Sequence, residues 1–168
     1  MSIFNANLPS MNKGRTHCAA AKHGRRIFLI GGTISGRGGC ARGYVATATV
    51  EMFDVDTKRW TTIRPMSIPR DDCAAVTLGD NIIVMGNGTV EQYNVVSKQW
   101  SPLARMNKRR SGFAAAVLDG KIIVVGGYNV GNVGGSYIAS VEEYDPSTGK
   151  WRELPSMRCD RRGCATAV

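Results

Sequence analysis

The sequence predicts an all-β protein assembled from repeated propeller-type blades, and three regularities point to it. A Met with an Arg four residues on recurs four times: Met11/Arg15, Met66/Arg70, Met106/Arg110 and Met157/Arg161. In the three complete copies an apolar run closes on a Gly twenty residues after that Met, at Gly31, Gly86 and Gly126. A Val-Glu-x-aromatic-Asp/Asn segment follows at 50–54, 90–94 and 141–145, and a Trp (Trp60, Trp100, Trp151) stands seven residues past the aromatic. The Met-to-Met periods of 55, 40 and 51 residues lie in the range of propeller and solenoid units. The differences all fall between the glycines and the Val-Glu, a stretch that is long in copies one and three and nearly absent in copy two. Function is expected there.

Within each copy the elements read as strands. The first is made of small residues, at 19–21, 74–76, 114–117 and 165–168, as a strand lining a crowded axis requires. Turn residues follow at Gly24, at 79–81 and at Asp119-Gly120, as hairpins prefer. The second strand is almost wholly apolar at 27–30, 82–85 and 122–125, which predicts burial on both faces. The third alternates, Val50 and Met52 against Glu51 and Phe53, and suits a half-buried position. The strand holding the Trp borders Lys58, Arg59, Lys98 and Lys150, as an outer edge does. Four antiparallel strands make one blade. The units are then 11–65, 66–105 and 106–156, after a leading segment 1–10 and before 157–168, which holds the first strand of a fourth.

Composition adds few constraints. The chain has 168 residues, a net charge of +9 and five cysteines with no C-x-x-C, a pattern expected of reduced thiols in a cytoplasmic or nuclear protein. No apolar run approaches the roughly 20 residues of a membrane-spanning helix, and residues 1–5 lack the features of a signal peptide.

The Arg ahead of a small-residue strand, the pairs Gly31-Gly32 and Gly126-Gly127, the Val-Glu-x-Tyr-Asp and the Trp together resemble the kelch repeat, from Met11 to Val168. Copy two departs, with Gly86-Asn87 in place of the pair, so its connection to Val90 is expected to be a tight turn. The resemblance implies a partial kelch-type β-propeller, three blades plus one inner strand, belonging to a six-bladed ring. Closure is expected either from blades of a longer chain or from a second copy in a homodimer. The recurring Arg15, Arg70, Arg110 and Arg161 are expected to be structural between blades. Gly31, Gly32, Gly86, Gly126 and Gly127 are expected to shape the strand ends, and Trp60, Trp100 and Trp151 to fill the space between blades.

In a four-stranded meander the loop between strands two and three shares a face with the connections between blades. Counted from the sequence, that face holds 14 basic and 4 acidic residues, an excess of +10, against −1 elsewhere. A one-sided field steers oppositely charged partners. The candidate ligand-binding residues are the basic ones present in only some copies, Arg37, Arg42, Lys108, Arg109 and Arg162, with Tyr137 as an exposed aromatic. In kelch domains that take acidic peptides, contacts follow the recurring Arg and the glycine pair. Carried over, these positions are Thr16, Asp71, Ser111, Arg162, Thr33 and Tyr128, of which Asp71 would repel an acidic ligand.

The expected partner is an acidic peptide or protein segment, with no cofactor and no metal. The resemblance also brings in substrate receptors of cullin-type ubiquitin ligases, actin-binding proteins, scaffolds and a few kelch-type enzymes. Cys18, Cys73 and Cys164 recur seven residues after the Met, but on separate blades their sulfurs would stand too far apart to share a zinc ion with bonds of about 2.3 Å. His17 and Cys18, as neighbours on a strand, would point to opposite faces. A pI near 9.7 permits nucleic acid, yet the face offers only Tyr44, Tyr128 and Tyr137 for base stacking. An interaction module is the reading the residues favour.

Overall fold

The computed structural model describes residues 9–35, 43–129 and 135–163. In the first repeat the strands are β1 (Ala19–His23), β2 (Arg26–Ile30), β3 (Thr33–Ser35), β4 (Tyr44–Ala46), β5 (Val50–Asp54) and β6 (Arg59–Ile63). The second repeat holds β7 (Ala74–Leu78), β8 (Asn81–Gly86), β9 (Thr89–Asn94) and β10 (Gln99–Leu103). The third holds β11 (Ala114–Leu118), β12 (Lys121–Val125), β13 (Tyr128–Asn129), β14 (Ser136–Tyr137), β15 (Val141–Asp145) and β16 (Lys150–Leu154). Three antiparallel four-stranded sheets result, ordered β1-β2-β5-β6, β7-β8-β9-β10 and β11-β12-β15-β16. The fold is a partial propeller of three blades. The small-residue strand of each blade is innermost, and β7 packs between β1 and β11. Arg37, Arg42 and the expected inner strand at 165–168 lie outside the described residues.

Two cores fill the gaps between blades. Phe28, Ile30 and Val50 of the first blade meet Ile82, Val84 and Tyr93 of the second. Ile83, Met85 and Val90 of the second then meet Ile122, Val124 and Tyr144 of the third. The central second strand, β8, therefore sends alternate residues into the two different cores. That arrangement buries β8 on both faces, but it does not bury β2 as the sequence led us to expect. Ile27 is 41% exposed and Leu29 only half-buried, because no described blade packs on that side of the first sheet. For the same reason Ile123 and Val125 are half-buried on the far side of the third sheet.

A second correction concerns the third strand. Strand alternation would put Glu51 toward water, yet Glu51, Glu91 and Glu142 are among the most buried residues, with exposures of 1%, 3% and 0%. Each is the partner of the recurring arginine of its own repeat. Arg70 donates Nη1 to the carbonyls of Gly86 (2.9 Å) and Thr89 (3.1 Å), and Nη2 and Nε to Glu91 Oε1. Arg110 donates Nη1 to Gly126 O and Ser140 O and Nη2 to Ser140 Oγ and Glu142, and Arg15 reaches Gly31 O, Thr49 O and Glu51 through Nη1 and Nη2. The other carboxylate oxygen accepts the backbone N–H just after the Met, as in Ser67 N to Glu91 Oε2 at 3.0 Å. Buried charges are tolerated only when most of their polar groups are paired in this way; among the described residues only the Nε atoms of Arg15 and Arg110 are buried side-chain polar atoms without a partner.

The backbone of these arginines also reaches the preceding blade. The Arg70 carbonyl accepts from Gly32 N–H at 2.7 Å, that of Arg110 from Asn87 at 3.0 Å and that of Arg161 from Gly127 at 2.7 Å. Only a residue without a side chain fits the approach at Gly31: with φ of 63°, its Cβ would lie 2.5 Å from Arg70 O. In copy two the connection is a two-residue Asn87-Gly88 turn with φ of 53° and 81°, the combination a type I′ hairpin demands. Gly88 O accepts from Met106 N–H at 3.1 Å, as Ala48 O does from Met66 and Ala139 O from Met157. Asn87 is thus equivalent to Gly32 and Gly127, and Gly88 to Ala48 and Ala139. The long loops of copies one and three are insertions between those two fixed points.

Each Trp is half-buried and ties its blade to the chain that precedes its repeat. Trp100 lies 5.2 Å from the Tyr93 ring, and its indole N–H donates to Arg64 O at 2.9 Å. Trp60 does the same with Phe53 and Pro9 O, and Trp151 with Tyr144 and Ala104 O.

Four outcomes are expected. Arg110→Met should cost about 3–5 kcal/mol in denaturant melts, since it leaves Glu142 buried without its counter-charge; a cost under about 1 kcal/mol would mean the pair carries little. Trp100→Ala should cost about 3 kcal/mol. Four Gly/Ser residues inserted between Asn87 and Gly88 should leave the melting temperature within a few degrees. The same insertion between Gly88 and Thr89 separates the Met106 acceptor from β9 and should lower it more.

Candidate functional site

The connection from the second to the third strand of each blade leaves from the end opposite both hairpin turns, so the variable loops and the blade-to-blade connectors share one face. At the centre of that face a run of backbone hydrogen bonds crosses the repeats. Asp72 N–H donates to His17 O at 3.0 Å, Gly112 N–H to Asp72 O at 2.9 Å, and Gly163 N–H to Gly112 O at 2.8 Å. These four residues all stand six positions after the recurring Met and all have positive φ, of 54°, 46°, 58° and 67°. They form a staircase of left-handed residues around the axis. It floors an open cavity of about 820 Å³ whose wall includes Tyr137, Asp160, Arg161 and Arg162.

The variable loops rise beside this cavity as two short ribbons. β13 pairs with β14, putting Tyr128 opposite Tyr137, with ring centroids 5.4 Å apart edge to face. Tyr128 also bridges to Ser111 through backbone bonds of 3.0 and 2.9 Å. The Arg162 guanidinium lies over the Tyr128 ring at 5.5 Å, and its Nη2 donates to Asp72 Oδ2 at 2.8 Å. In the first repeat, Thr16 bridges to Thr33 with hydroxyls 2.8 Å apart. Those two threonines, with His17, Tyr44, Asp71 and Asp72, line a second cavity of about 460 Å³.

The structure thus brings Ser111, Tyr128, Tyr137 and Arg162 into one cluster and pairs Thr16 with Thr33 in another. Two of the remaining candidates stand apart. Arg109 is exposed and packs on the Gly88 turn, where an added Cβ would meet its Cγ at 2.9 Å. Lys108 is paired with Glu153 at 3.2 Å. Three residues that line the cavities were not among the ligand-binding candidates read from the sequence. Asp72 and His17 are marked only by their shared place after the Met. Tyr44 is 77% exposed at the second cavity; its only mark was an aromatic in a loop of variable length.

The charge count of this face needs correcting. Arg15, Arg70 and Arg110 are buried against glutamates, so three of the 14 basic residues assigned there do not reach it; with Arg37 and Arg42 outside the described residues, 9 basic residues remain against 4 acidic ones, an excess of +5. Arg162 is ion-paired as well.

Thiol and imidazole chemistry finds little support in the geometry. Burial pushes the Cys73 thiol up to about 11, and its Sγ lies 3.8 Å from Ile30 O. His17 Nδ1 is 3.1 Å from Thr16 Oγ1. Among the described residues no three His, Cys, Asp or Glu side chains are grouped to hold a metal, and no helix is long and apolar enough to cross a membrane.

Comparison with known proteins follows the repeat. The kelch motif matches residues 14–67 and 109–158. Human Kelch-like protein 4 is 29% identical over 119 residues, which cover 71% of this chain and 10% of that protein. The solved structure of YjhT superposes with a TM-score of 0.71 at 17% identity, over 90% of this chain and 54% of that one; at that identity the likeness speaks for the fold alone. The chain spans about a tenth of the human relative and about half of the solved one. With the motif matched over more than half its length, the chain belongs to the kelch-repeat family.

Proposed function

We propose that this chain is a non-catalytic protein-interaction module whose loop face takes an extended, acidic segment of another protein. One observation carries the reading: Arg162 is held over the Tyr128 ring beside Tyr137, at the mouth of an open axial cavity. A guanidinium kept in place by an aromatic face is prepared to hold a carboxylate by two hydrogen bonds, and tyrosines supply contact area at low entropic cost. The excess of +5 among its described residues gives this face the field that draws such a segment in. The second cavity, lined by Asp71 and Asp72, favours the less acidic part of the ligand.

Binding of a fluorescein-labelled, end-capped hexaglutamate peptide, followed by anisotropy, tests this. Affinity should fall steeply from low to physiological salt, chiefly through a slower on-rate. Arg109→Glu, on the same face, should weaken binding about threefold to tenfold, up to about 1.4 kcal/mol, with an unchanged melting temperature. Lys98→Glu, in the hairpin turn at the opposite end of the second blade, should change affinity less than twofold. Equal losses from the two variants would remove the one-sided field from the explanation.

A further inference from the structure

Asp72 stands out in the axial staircase. Two of the three equivalent positions, Gly112 and Gly163, are glycine, the residue that left-handed backbone favours, whereas Asp72 holds φ of 46° at a cost in backbone strain. Strain kept at a ligand-facing position is a reason to look for a role in its side chain. Its backbone is fixed on both sides, N–H to His17 O and C=O from Gly112 N–H. With the backbone so held, its carboxylate accepts from Arg162 Nη2 at 2.8 Å. Asp72 lines both cavities of the face.

From this, and resting on the acidic-segment reading above, we propose that Asp72 is an internal stand-in for the ligand. Its carboxylate occupies the guanidinium of Arg162 in the free protein, and the leading carboxylate of the bound segment displaces it. The place where Asp72 meets Arg162 is then the carboxylate subsite, and Asp72 is the residue that sets how acidic a segment must be to bind. A single acidic side chain gains little by replacing an equivalent internal one. A run of them gains from the surrounding basic residues as well, so the contact selects for acidic runs over isolated carboxylates. Removing Asp72 should raise affinity and relax that selection.

The test uses three labelled peptides: capped hexaglutamate, capped hexaglutamine, and hexaglutamine with a free C-terminus, which separates a side-chain carboxylate from a terminal one. Asp72→Asn should bind hexaglutamate at least fivefold more tightly than the unaltered protein, and Asp72→Gly, which installs the residue of copies three and four, should do the same. Adding Arg162→Gln to Asp72→Asn should abolish the gain, which a merely structural role for Asp72 would not produce. If the free C-terminus gains and hexaglutamate does not, the subsite takes a chain terminus and the selection for acidic runs is overturned. Hexaglutamate binding to the unaltered protein with no gain in either Asp72 variant overturns the stand-in while leaving the acidic-segment reading in place. Binding to none of the proteins overturns both.

Discussion

The buried arginine–glutamate pair is the constraint on which the rest of this structure depends. Each repeat has one ion pair in a dry space near the end of its second strand, and the guanidinium also satisfies the carbonyls where that strand ends and the third begins. Removing two charges from water is costly unless hydrogen bonds compensate for the lost hydration. Here the partners are spread over three parts of the chain: the connector, the strand end and the start of the next strand. The pair can therefore form only when the blade is correctly folded. The arginine carbonyl, taken up by the preceding repeat, then fixes the angle at which one blade follows another.

That arrangement explains why loop length can vary so freely. Between Gly32 and Ala48, or Gly127 and Ala139, the chain leaves the blade and returns to fixed hydrogen-bonding partners, whatever it does between. Copy two shows the minimum, with Asn87 and Gly88 adjacent and both left-handed. Closing a longer loop costs little entropy, so the face can gain ribbons such as β3-β4 and β13-β14 without loss of the scaffold. The rigid ends hold the threonine and tyrosine of each ribbon against the connector, as the Thr16–Thr33 and Ser111–Tyr128 bridges show. Binding groups on variable loops are thereby placed by an invariant frame.

The strand order, the inner position of the alanine strands and the tight turn of copy two were all legible in the sequence, because each follows from local spacing or turn chemistry. The burial of Glu51, Glu91 and Glu142 was not. Alternation assigns a third-strand glutamate to water, and the arginine that overrides it lies 36, 21 or 32 residues away, a separation that changes with the loop. Only the joint recurrence of Arg and Glu in every complete copy carried the signal. The same oversight inflated the charge of the loop face, since arginines that looked exposed are neutralised inside. Asp72 was hidden for another reason: left-handed backbone leaves no mark in one copy, and it emerges only when His17, Asp72, Gly112 and Gly163 are compared in register.

The two uncovered blade faces pose the question of closure, and the staircase bears on it. A second copy packing its first blade against the third would bring Met11–His17 to the position already held by Met157–Gly163. There Met157 N–H donates to Ala139 O, Arg161 O accepts from Gly127, and Gly163 N–H donates to Gly112 O. The incoming connector would make the same three bonds, so the exchange yields no net hydrogen bonding. The balance would rest on the apolar surface that the new contact covers, chiefly Ile27 and Leu29 against Ile123, Val125 and the exposed Leu118, at about 25 cal/mol per Å². Against it stands the cost of ordering two chains relative to one another. A contact made within one chain does not carry that second cost.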